Sequence, residues 1–383
     1  LMMLFHKGKI PAFDRGLLVA SLLLICLGIM VISSASVMES MVKYGDSLYQ
    51  TKKHVFAVLM ALFVGMLCAM TPTEIWKKYS LHCFIVVCVL MILVMIVGRE
   101  INGAKRWLPL GFINLQPSEL LKIFWILYFS SYVSRKIESI STTTKGFIKP
   151  LAFIGVMAVL LLVQHDMGSL VVVSCITYSL TFIAGAGFIK YGVVIMLALL
   201  LAFLLVLVSP YRIARFKSFM DPWQDQYGSG YQLTQSLMAF GRGGITGEGL
   251  GNSYQKLGYL PEAHTDFITS ILGEEFGFVG MVLLLLLELF IVYKSFRLAF
   301  KILKQDAIYQ GYVAAGIGTL FCVQTFINVG SASGGIPTKG LTLPLVSYGG
   351  SSMISCCMAI AILLRIDFEW RNNAISDKRK NES

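Results

Sequence analysis

The stretch LLVASLLLICLGIMVISSASV, residues 17–37, decides the fold, because it carries no charge over a length that spans a bilayer. A transmembrane helix needs about 20 mainly apolar residues, and its backbone groups must pair within the helix. Further runs of this kind follow: Val55–Met70, Leu81–Val97, Glu119–Val133, Leu151–Val163, Ser169–Ala186, Tyr191–Val208, Phe267–Tyr293, Ala307–Val329 and Leu345–Ile366. These runs predict an all-α integral membrane protein, a bundle of about ten transmembrane helices.

The composition of the 383 residues agrees with a lipid environment, since 56% are hydrophobic and only 14% are charged. A soluble domain carries roughly 25% charged residues. Lys and Arg number 32 against 21 Asp and Glu, an excess typical of basic cytoplasmic loops, so we expect no nucleic-acid partner. The eight cysteines lie mostly in apolar runs without Cys-x-x-Cys pairs or His partners, so we predict no metal or redox role for them.

The distribution of basic residues predicts the orientation. Segments on the side of the N-terminus carry most of the Lys and Arg, and the positive-inside rule therefore places both termini in the cytoplasm. A large loop at residues 209–266, between helices 7 and 8, then lies on the extracytoplasmic side with segments 98–118 and 330–344. We expect a single domain over residues 1–383, ending in a disordered cytoplasmic tail at residues 372–383.

The sharpest polar motif is PEAHTD, residues 261–266, which directly precedes an apolar run. Acidic side chains at membrane depth are costly, so Glu262 and Asp266 are candidates for function. Burial would raise the pKa of either carboxyl group, which suits a general base. The alternative is structural: Thr265 or Asp266 could cap the following helix, whose dipole favours them.

Basic residues on the same side of the membrane could hold an anionic diphosphate. They are Lys105, Arg106, Arg242, Lys256 and Lys339. Each could instead be an interface anchor or a solvated charge. The glycine-rich segment 241–251 could bring its backbone close to a ligand, or it could be a flexible linker.

Polar residues within or beside the apolar runs predict supporting contacts. Glu119 and Lys122 have i, i+3 spacing and are expected to pair inside the bundle. Asp166 lies in a short turn between two apolar runs and could contact the residues that line the site. Glu275 could partner a buried basic group or belong to a polar path. Segment 336–352 interrupts the helical period with Pro and Gly, and irregular backbone at membrane depth is tolerated where it lines a cavity.

Several stretches of the chain resemble the SEDS family (shape, elongation, division and sporulation), which includes FtsW and RodA. They are NGAKRWL at 102–108, QPSELLK at 116–122, GEGLGNS at 247–253, YLPEAHTDFI at 259–268 and PTKGLTLPLVSYGGSS at 337–352. They occur in the family's order and cover nearly the whole chain. The residues around 249–257 and the EAH of the acidic motif resemble the FtsW-type division branch more than the elongation branch.

The resemblance implies a peptidoglycan glycosyltransferase that polymerises lipid II, an undecaprenyl-diphosphate-linked disaccharide-pentapeptide, during septal cell-wall synthesis in cell division. It implies that Asp266 is the catalytic base, and that Glu262 and His264 orient this base or contact the sugar. The remaining candidates for substrate binding are Ser347 and the basic residues Lys105, Arg106, Arg242 and Lys339. No cofactor is certain, although a divalent cation, Mg²⁺ or Mn²⁺, could assist the leaving diphosphate.

The resemblance also implies partners and a location. The partners are lipid II, a class B penicillin-binding protein transpeptidase, other divisome membrane proteins and membrane lipids. The location is the bacterial cytoplasmic (inner) membrane at the division septum. Two alternatives stay open at the level of sequence: a lipid II flippase, because polar groups in a helical bundle equally suit a transport path, and a non-catalytic divisome scaffold.

Overall fold

The computed structural model describes residues 13–101, 104–109, 114–187, 190–192, 196, 210–338 and 340–381. The helices are α1 (Arg15–Ala35), α2 (Val37–Tyr44), α3 (Tyr49–Met70), α4 (Thr73–Val97), α5 (Pro117–Thr142), α6 (Thr144–Val163), α7 (Met167–Ile183), α8 (Pro210–Met220), α9 (Tyr231–Gly243), α10 (Ile268–Leu303), α11 (Ile308–Ala332) and α12 (Gly350–Asn381). The strands are β1 (Arg99–Ile101), β2 (Ala104–Pro109) and β3 (Asn114–Leu115), and a 3₁₀ turn covers Gln255–Leu257.

The helices confirm the predicted membrane bundle. Among the described residues, seven helices are long and apolar enough to cross a membrane: α1, α3, α4, α6, α10, α11 and α12. Helix α7 is apolar but shorter, and α5 carries Glu119 and Lys122 within its first turns. These helices cover every predicted run except the seventh, Tyr191–Val208, most of which lies outside the described residues.

Two predicted segments differ in length from the structure. Helix α6 begins at Thr144, whereas the predicted apolar run began at Leu151. The run missed the first turns of the helix because they carry the charged residues Lys145 and Lys149. Helix α12 continues to Asn381, through most of the segment predicted as a disordered tail. A helix that already exists gains one hydrogen bond for each residue it adds, which explains how a polar segment can extend it.

Helix α5 forms the centre of the bundle and packs against α4, α6, α7, α11 and α12. Its Trp125 is fully buried and donates a hydrogen bond from Nε1 to Thr177 Oγ1 (2.9 Å) on α7. The Trp125 ring stacks on Phe129 and lies 5.3 Å from the ring of Phe84 on α4. Aromatic side chains bury the largest area per residue, so this cluster anchors the helices around α5.

Contacts near the described start of the chain and in the later turns of α12 lie at one end of the bundle. Asp14, just before α1, pairs with Lys294 of α10 (2.7 Å). Near the end of α12, Glu369 pairs with Arg365 (2.7 Å) and accepts a hydrogen bond from the backbone N–H of Thr73, the first residue of α4. Phe13, beside Asp14, and Phe368, beside Glu369, line one cavity, so the described start of the chain and this part of α12 lie at the same end of the bundle.

At the opposite end, between α4 and α5, lies a small sheet in the order β1-β2-β3. Both pairs of strands are antiparallel, with Glu100 opposite Lys105 and Leu108 opposite Leu115. The all-helical prediction did not include this sheet. Its strands span two to six residues, too few for an alternating pattern to be recognised in the sequence.

The glycine-rich segment docks against a break in α10. Helix α10 has non-helical dihedral angles at Gly277 (φ +62°). Backbone hydrogen bonds of 2.9–3.1 Å join residues 244–249 to residues 274–279 across this break. A Cβ atom at Gly247 would lie 2.2 Å from the carbonyl oxygen of Glu275, so only glycine allows this approach. The close partner of these glycines is thus α10, and the segment is not a free linker.

Candidate active site

The acidic motif forms a compact turn directly before α10. Glu262 has a positive φ of 56° and is exposed, and its carbonyl oxygen accepts hydrogen bonds from the N–H groups of Thr265 and Phe267. Thr265 Oγ1 donates to Glu262 Oε2 (2.7 Å). The N-cap residue of α10 is Phe267, so the hydroxyl of Thr265 stabilises the turn rather than the helix end. Asp266 lies at the end of the bundle opposite Asp14, because α10 begins just after Asp266 and extends past Lys294, the partner of Asp14.

Asp266 is half-buried and faces the last loop of the chain. A Cβ atom built on Gly340 would lie 2.8 Å from Asp266 Oδ2, so the carboxylate lies against the loop backbone. Asn328 of α11 donates from Nδ2 to the carbonyl oxygens of both Asp266 (3.0 Å) and Leu341 (2.7 Å). One buried amide therefore fixes the acidic turn and the last loop relative to each other.

His264 is buried on the other side of the turn. Its carbonyl oxygen accepts a hydrogen bond from the N–H of Tyr348 (3.0 Å), and its ring lies edge-on to the Tyr348 ring at 5.2 Å. Its Nδ1 lies 3.2 Å from Glu39 Oε2 of α2, without the geometry of a hydrogen bond. His264, followed by Lys43, lowers the pKa of Glu39 from 4.5 to about 2.

Glu39 is a residue that the sequence did not single out. It pairs with Lys43 at i, i+4 spacing (2.6 Å), a pattern typical of an ordinary solvated helix face. Nothing in the local sequence connects it to a motif more than 200 positions later. Only the tertiary structure brings α2 over His264.

The candidate basic residues are placed in different surroundings. Arg106 donates from Nε to Gln164 O (2.9 Å) and from Nη2 to His165 O (2.6 Å), bracing the turn before α7. Arg242 lies over the ring of Tyr254 and 3.8 Å from Glu274 Oε1. Lys105 is exposed on the sheet, and Lys339 lies outside the described residues. Arg106 and Arg242 therefore make contacts within the protein, while the side chains of Lys105 and Arg242 are exposed.

The remaining candidates make internal contacts. The predicted pair of Glu119 and Lys122 is present, with 2.7 Å between Oε1 and Nζ and both side chains buried. Asp166 caps α7, accepting from Ser169 N (3.0 Å) and Ser169 Oγ (2.8 Å). Ser347 is buried, and its Oγ accepts from Leu343 N (2.8 Å) within its own loop. Each of these contacts lies within a single helix, helix end or loop.

Two buried carboxylates fasten the 251–256 segment to α10. Glu275 accepts hydrogen bonds from Ser34 of α1 and from Lys256 Nζ (3.1 Å). Glu274 accepts from the N–H of Tyr254 (2.9 Å) and from Ser253 Oγ. Of the two roles predicted for Glu275, the structure shows contact with a basic group, that of Lys256, whose side chain is 11% exposed.

The acidic turn itself offers two carboxylates, those of Asp266 and Glu262, as ligands for a divalent cation. Among the described residues, no group of three or more His, Cys, Asp or Glu side chains stands close enough to hold a metal ion. Mg²⁺ is often held by one or two carboxylates together with substrate phosphates and water, and this donor set is of that kind. The cation stays a prediction.

Taken together, the geometry places a half-buried carboxylate on an ordered turn, beside an irregular loop, at one end of a helical membrane bundle. These features define a polytopic membrane protein with a carboxylate site at its boundary. The chain belongs to the FtsW/RodA/SpoVE family of cell cycle proteins, whose sequence model matches residues 15–372. The family predicted from the sequence is thereby confirmed.

Similar proteins carry names that describe a common activity. A probable peptidoglycan glycosyltransferase FtsW from Tolumonas auensis is 48% identical over 94% of both chains. The protein of the same name from Escherichia coli O157:H7 is 43% identical over 94% of this chain and 87% of its own length.

Solved structures share the fold. One chain, from a peptidoglycan synthase complex that coordinates polymerization and crosslinking, matches with a TM-score of 0.75 and 27% identity, over 93% of this chain and 98% of its own. A mutant form of the rod shape determining protein RodA from Thermus thermophilus matches with a TM-score of 0.68 and 25% identity, over 93% and 97% of the two chains.

Proposed function

We propose that this protein is a peptidoglycan glycosyltransferase that polymerises lipid II into glycan strands for septal cell-wall synthesis. The curated relatives at 42–48% identity over most of the chain carry the name of this activity. The observation that carries the assignment of the site is the Asp266 carboxylate, half-buried against Gly340 on a turn that Asn328 and Thr265 hold rigid. A fixed carboxylate of this kind is suited to general-base catalysis.

In the proposed reaction Asp266 accepts the proton of the acceptor sugar's 4-hydroxyl group. The oxygen then forms a bond to C1 of the donor sugar, while the bond from C1 to the lipid diphosphate breaks and its electron pair leaves with the diphosphate. Direct displacement inverts the configuration at C1. Cations stabilise the charge that develops on the diphosphate. Lys105 and Arg242 are basic candidates with exposed side chains on this side, and Lys339 is adjacent in sequence to Gly340.

The site lies at the end of the bundle opposite Asp14 and Glu369. With both termini in the cytoplasm, as the positive-inside rule favours, Asp266 faces the extracytoplasmic side of the cytoplasmic membrane. The likeness to a chain of a synthase complex that couples polymerization to crosslinking supports a crosslinking partner, and we assign a class B penicillin-binding protein to that role at the division septum.

The test is a polymerisation assay with purified protein and lipid II in detergent. Wild type should form glycan strands without a sealed bilayer, which a flippase or a scaffold would not do. Asp266→Asn should lower the rate by about 10²- to 10⁴-fold, the usual contribution of a general base. The matched control is Asp221→Asn, an exposed carboxylate of the preceding segment, which should retain the wild-type rate. Equal rates for wild type and Asp266→Asn would refute the assignment of the base.

A further inference from the structure

Helix α2 connects α1 to α3 at the end of the bundle that carries the acidic turn. It ends at Gly45, which adopts the left-handed conformation (φ +71°). Its Glu39 uses its two carboxylate oxygens for different partners: Oε1 lies 2.6 Å from Lys43 Nζ, and Oε2 lies 3.2 Å from His264 Nδ1. An ordinary helix-face pair accounts for the first contact only.

The contact with His264 is partly shielded from solvent. The His264 side chain is 8% exposed and that of Glu39 is 34% exposed. Electrostatic contacts that are partly buried are screened less by water and salt than surface pairs. The pKa of Glu39, lowered to about 2, keeps this carboxylate ionised at neutral pH. The negative charge beside the imidazole is therefore permanent under physiological conditions.

Movement of His264 would displace the carboxylate of Asp266, because the two residues share one short turn. The Tyr348 N–H holds the carbonyl oxygen of His264, and the Tyr348 ring contacts one edge of the imidazole. Glu39 contacts the imidazole from another element of the fold. The strained backbone at Glu262 shows that this turn adopts a conformation which its surroundings must maintain.

We infer that Glu39 is a positioning residue for the transfer reaction, because it orients His264 and, through His264, the carboxylate of Asp266. This inference rests on the proposed function. Glu39 does not contact the reacting atoms, so it acts on the geometry of the base and leaves substrate binding intact. Removing its charge should therefore lower kcat and leave KM nearly unchanged.

The experiment measures kcat and KM for lipid II polymerisation by full-length protein in detergent. The test variant is Glu39→Gln, and the matched control is Asp46→Asn. Asp46 is a carboxylate of the connection that follows α2, and its partner is the exposed Lys52 (2.7 Å). We expect Glu39→Gln to lose about tenfold in kcat with KM within about twofold of wild type, whereas Asp46→Asn should match wild type in both constants.

Three further variants show whether Glu39 acts through His264. Lys43→Met removes the other partner of Glu39 and should keep the wild-type kcat. Glu39→Asp keeps the charge and should retain more kcat than Glu39→Gln. In the double variant Glu39→Gln/His264→Asn, kcat should equal that of His264→Asn alone, since two residues that act through one contact are not additive.

The outcomes separate this inference from the function on which it rests. No product from wild type would refute the proposed function itself. An active wild type with equal kcat for Glu39→Gln and Asp46→Asn, or additive losses in the double variant, would overturn the role of Glu39. Should Glu39→Gln fail to fold, Lys43→Met and Glu39→Asp decide. A Lys43→Met variant as impaired as Glu39→Asp would show that α2 acts only as a structural element.

Discussion

The contact between Lys256 and the buried Glu275 carboxylate allows a quantitative prediction about stability. Lys256 Nζ lies 2.6 Å from Gly251 O, 2.8 Å from Ser34 Oγ and 3.1 Å from Glu275 Oε1. The Lys256 side chain is 11% exposed and that of Glu275 is fully buried. The perturbation is Lys256→Met, which keeps the length of the side chain and removes the ammonium group.

Without the ammonium group, the Glu275 carboxylate keeps only the hydroxyl of Ser34, because its Oε2 has no hydrogen-bond partner. Removing one partner of a buried ion pair costs about 3–5 kcal/mol of folding free energy, since the other charge stays buried and unpaired. Replacing both partners by apolar residues removes this penalty. The double variant Lys256→Met/Glu275→Leu should therefore recover at least half of the loss.

The measurement is equilibrium unfolding of the purified protein in mixed micelles. The matched control is Lys52→Met, because Lys52 forms an ion pair of 2.7 Å with Asp46 while both side chains are exposed. Exposed pairs contribute little, so this variant should match wild type. If Lys256→Met is no less stable than Lys52→Met, the ion pair does not fasten segment 251–256 to α10, and the reasoning fails.

Three more predictions follow from the same contacts. Gly247→Ala should destabilise the protein more than Gly251→Ala, because both positions have positive φ but only the Cβ at 247 would strike the Glu275 carbonyl; equal unfolding midpoints would contradict this. The depressed pKa of Glu39 contributes stability that is complete above its ordinary value of 4.5 and is lost as the pH falls toward about 2. The stability advantage of wild type over Glu39→Gln should therefore shrink as the pH falls from about 5 toward 2, and an unchanged difference over that range would disprove it. Arg106→Ala should speed hydrogen exchange in the turn at residues 164–166, because the carbonyl oxygens of Gln164 and His165 lose their charged donors. Lys105→Ala, on an exposed side chain, should not, and identical exchange would rule out the bracing role.

The sequence predicted features that depend on local patterns. Apolar runs located the helices, and i, i+3 spacing predicted the contact between Glu119 and Lys122 that the structure contains. Helix boundaries were less accurate where charged residues such as Lys145 occupy the first turn, because a run-based criterion ends at the first charge. The role of Asp266 as a base depends on the chemistry and stays a prediction.

Contacts between distant segments could not be predicted in this way. Composition alone left the 241–251 segment open between a flexible linker and a ligand cradle, whereas its glycines allow backbone contact with α10. Glu39 and His264 are separated by most of the chain, so no spacing rule connects them. Ser347 was predicted to contact substrate, yet its hydroxyl oxygen accepts a hydrogen bond from the N–H of Leu343 within the loop.

The internal pair on α5 has a consequence for how the protein enters the membrane. Glu119 and Lys122 lie one turn apart on a single helix, so they neutralise each other as soon as that turn forms. A nascent α5 thus brings its own counter-ion into the bilayer, and its passage out of the insertion machinery does not have to wait for a later helix to supply one. The most central helix of the bundle can be in place early, and the segments synthesised after it can assemble around it.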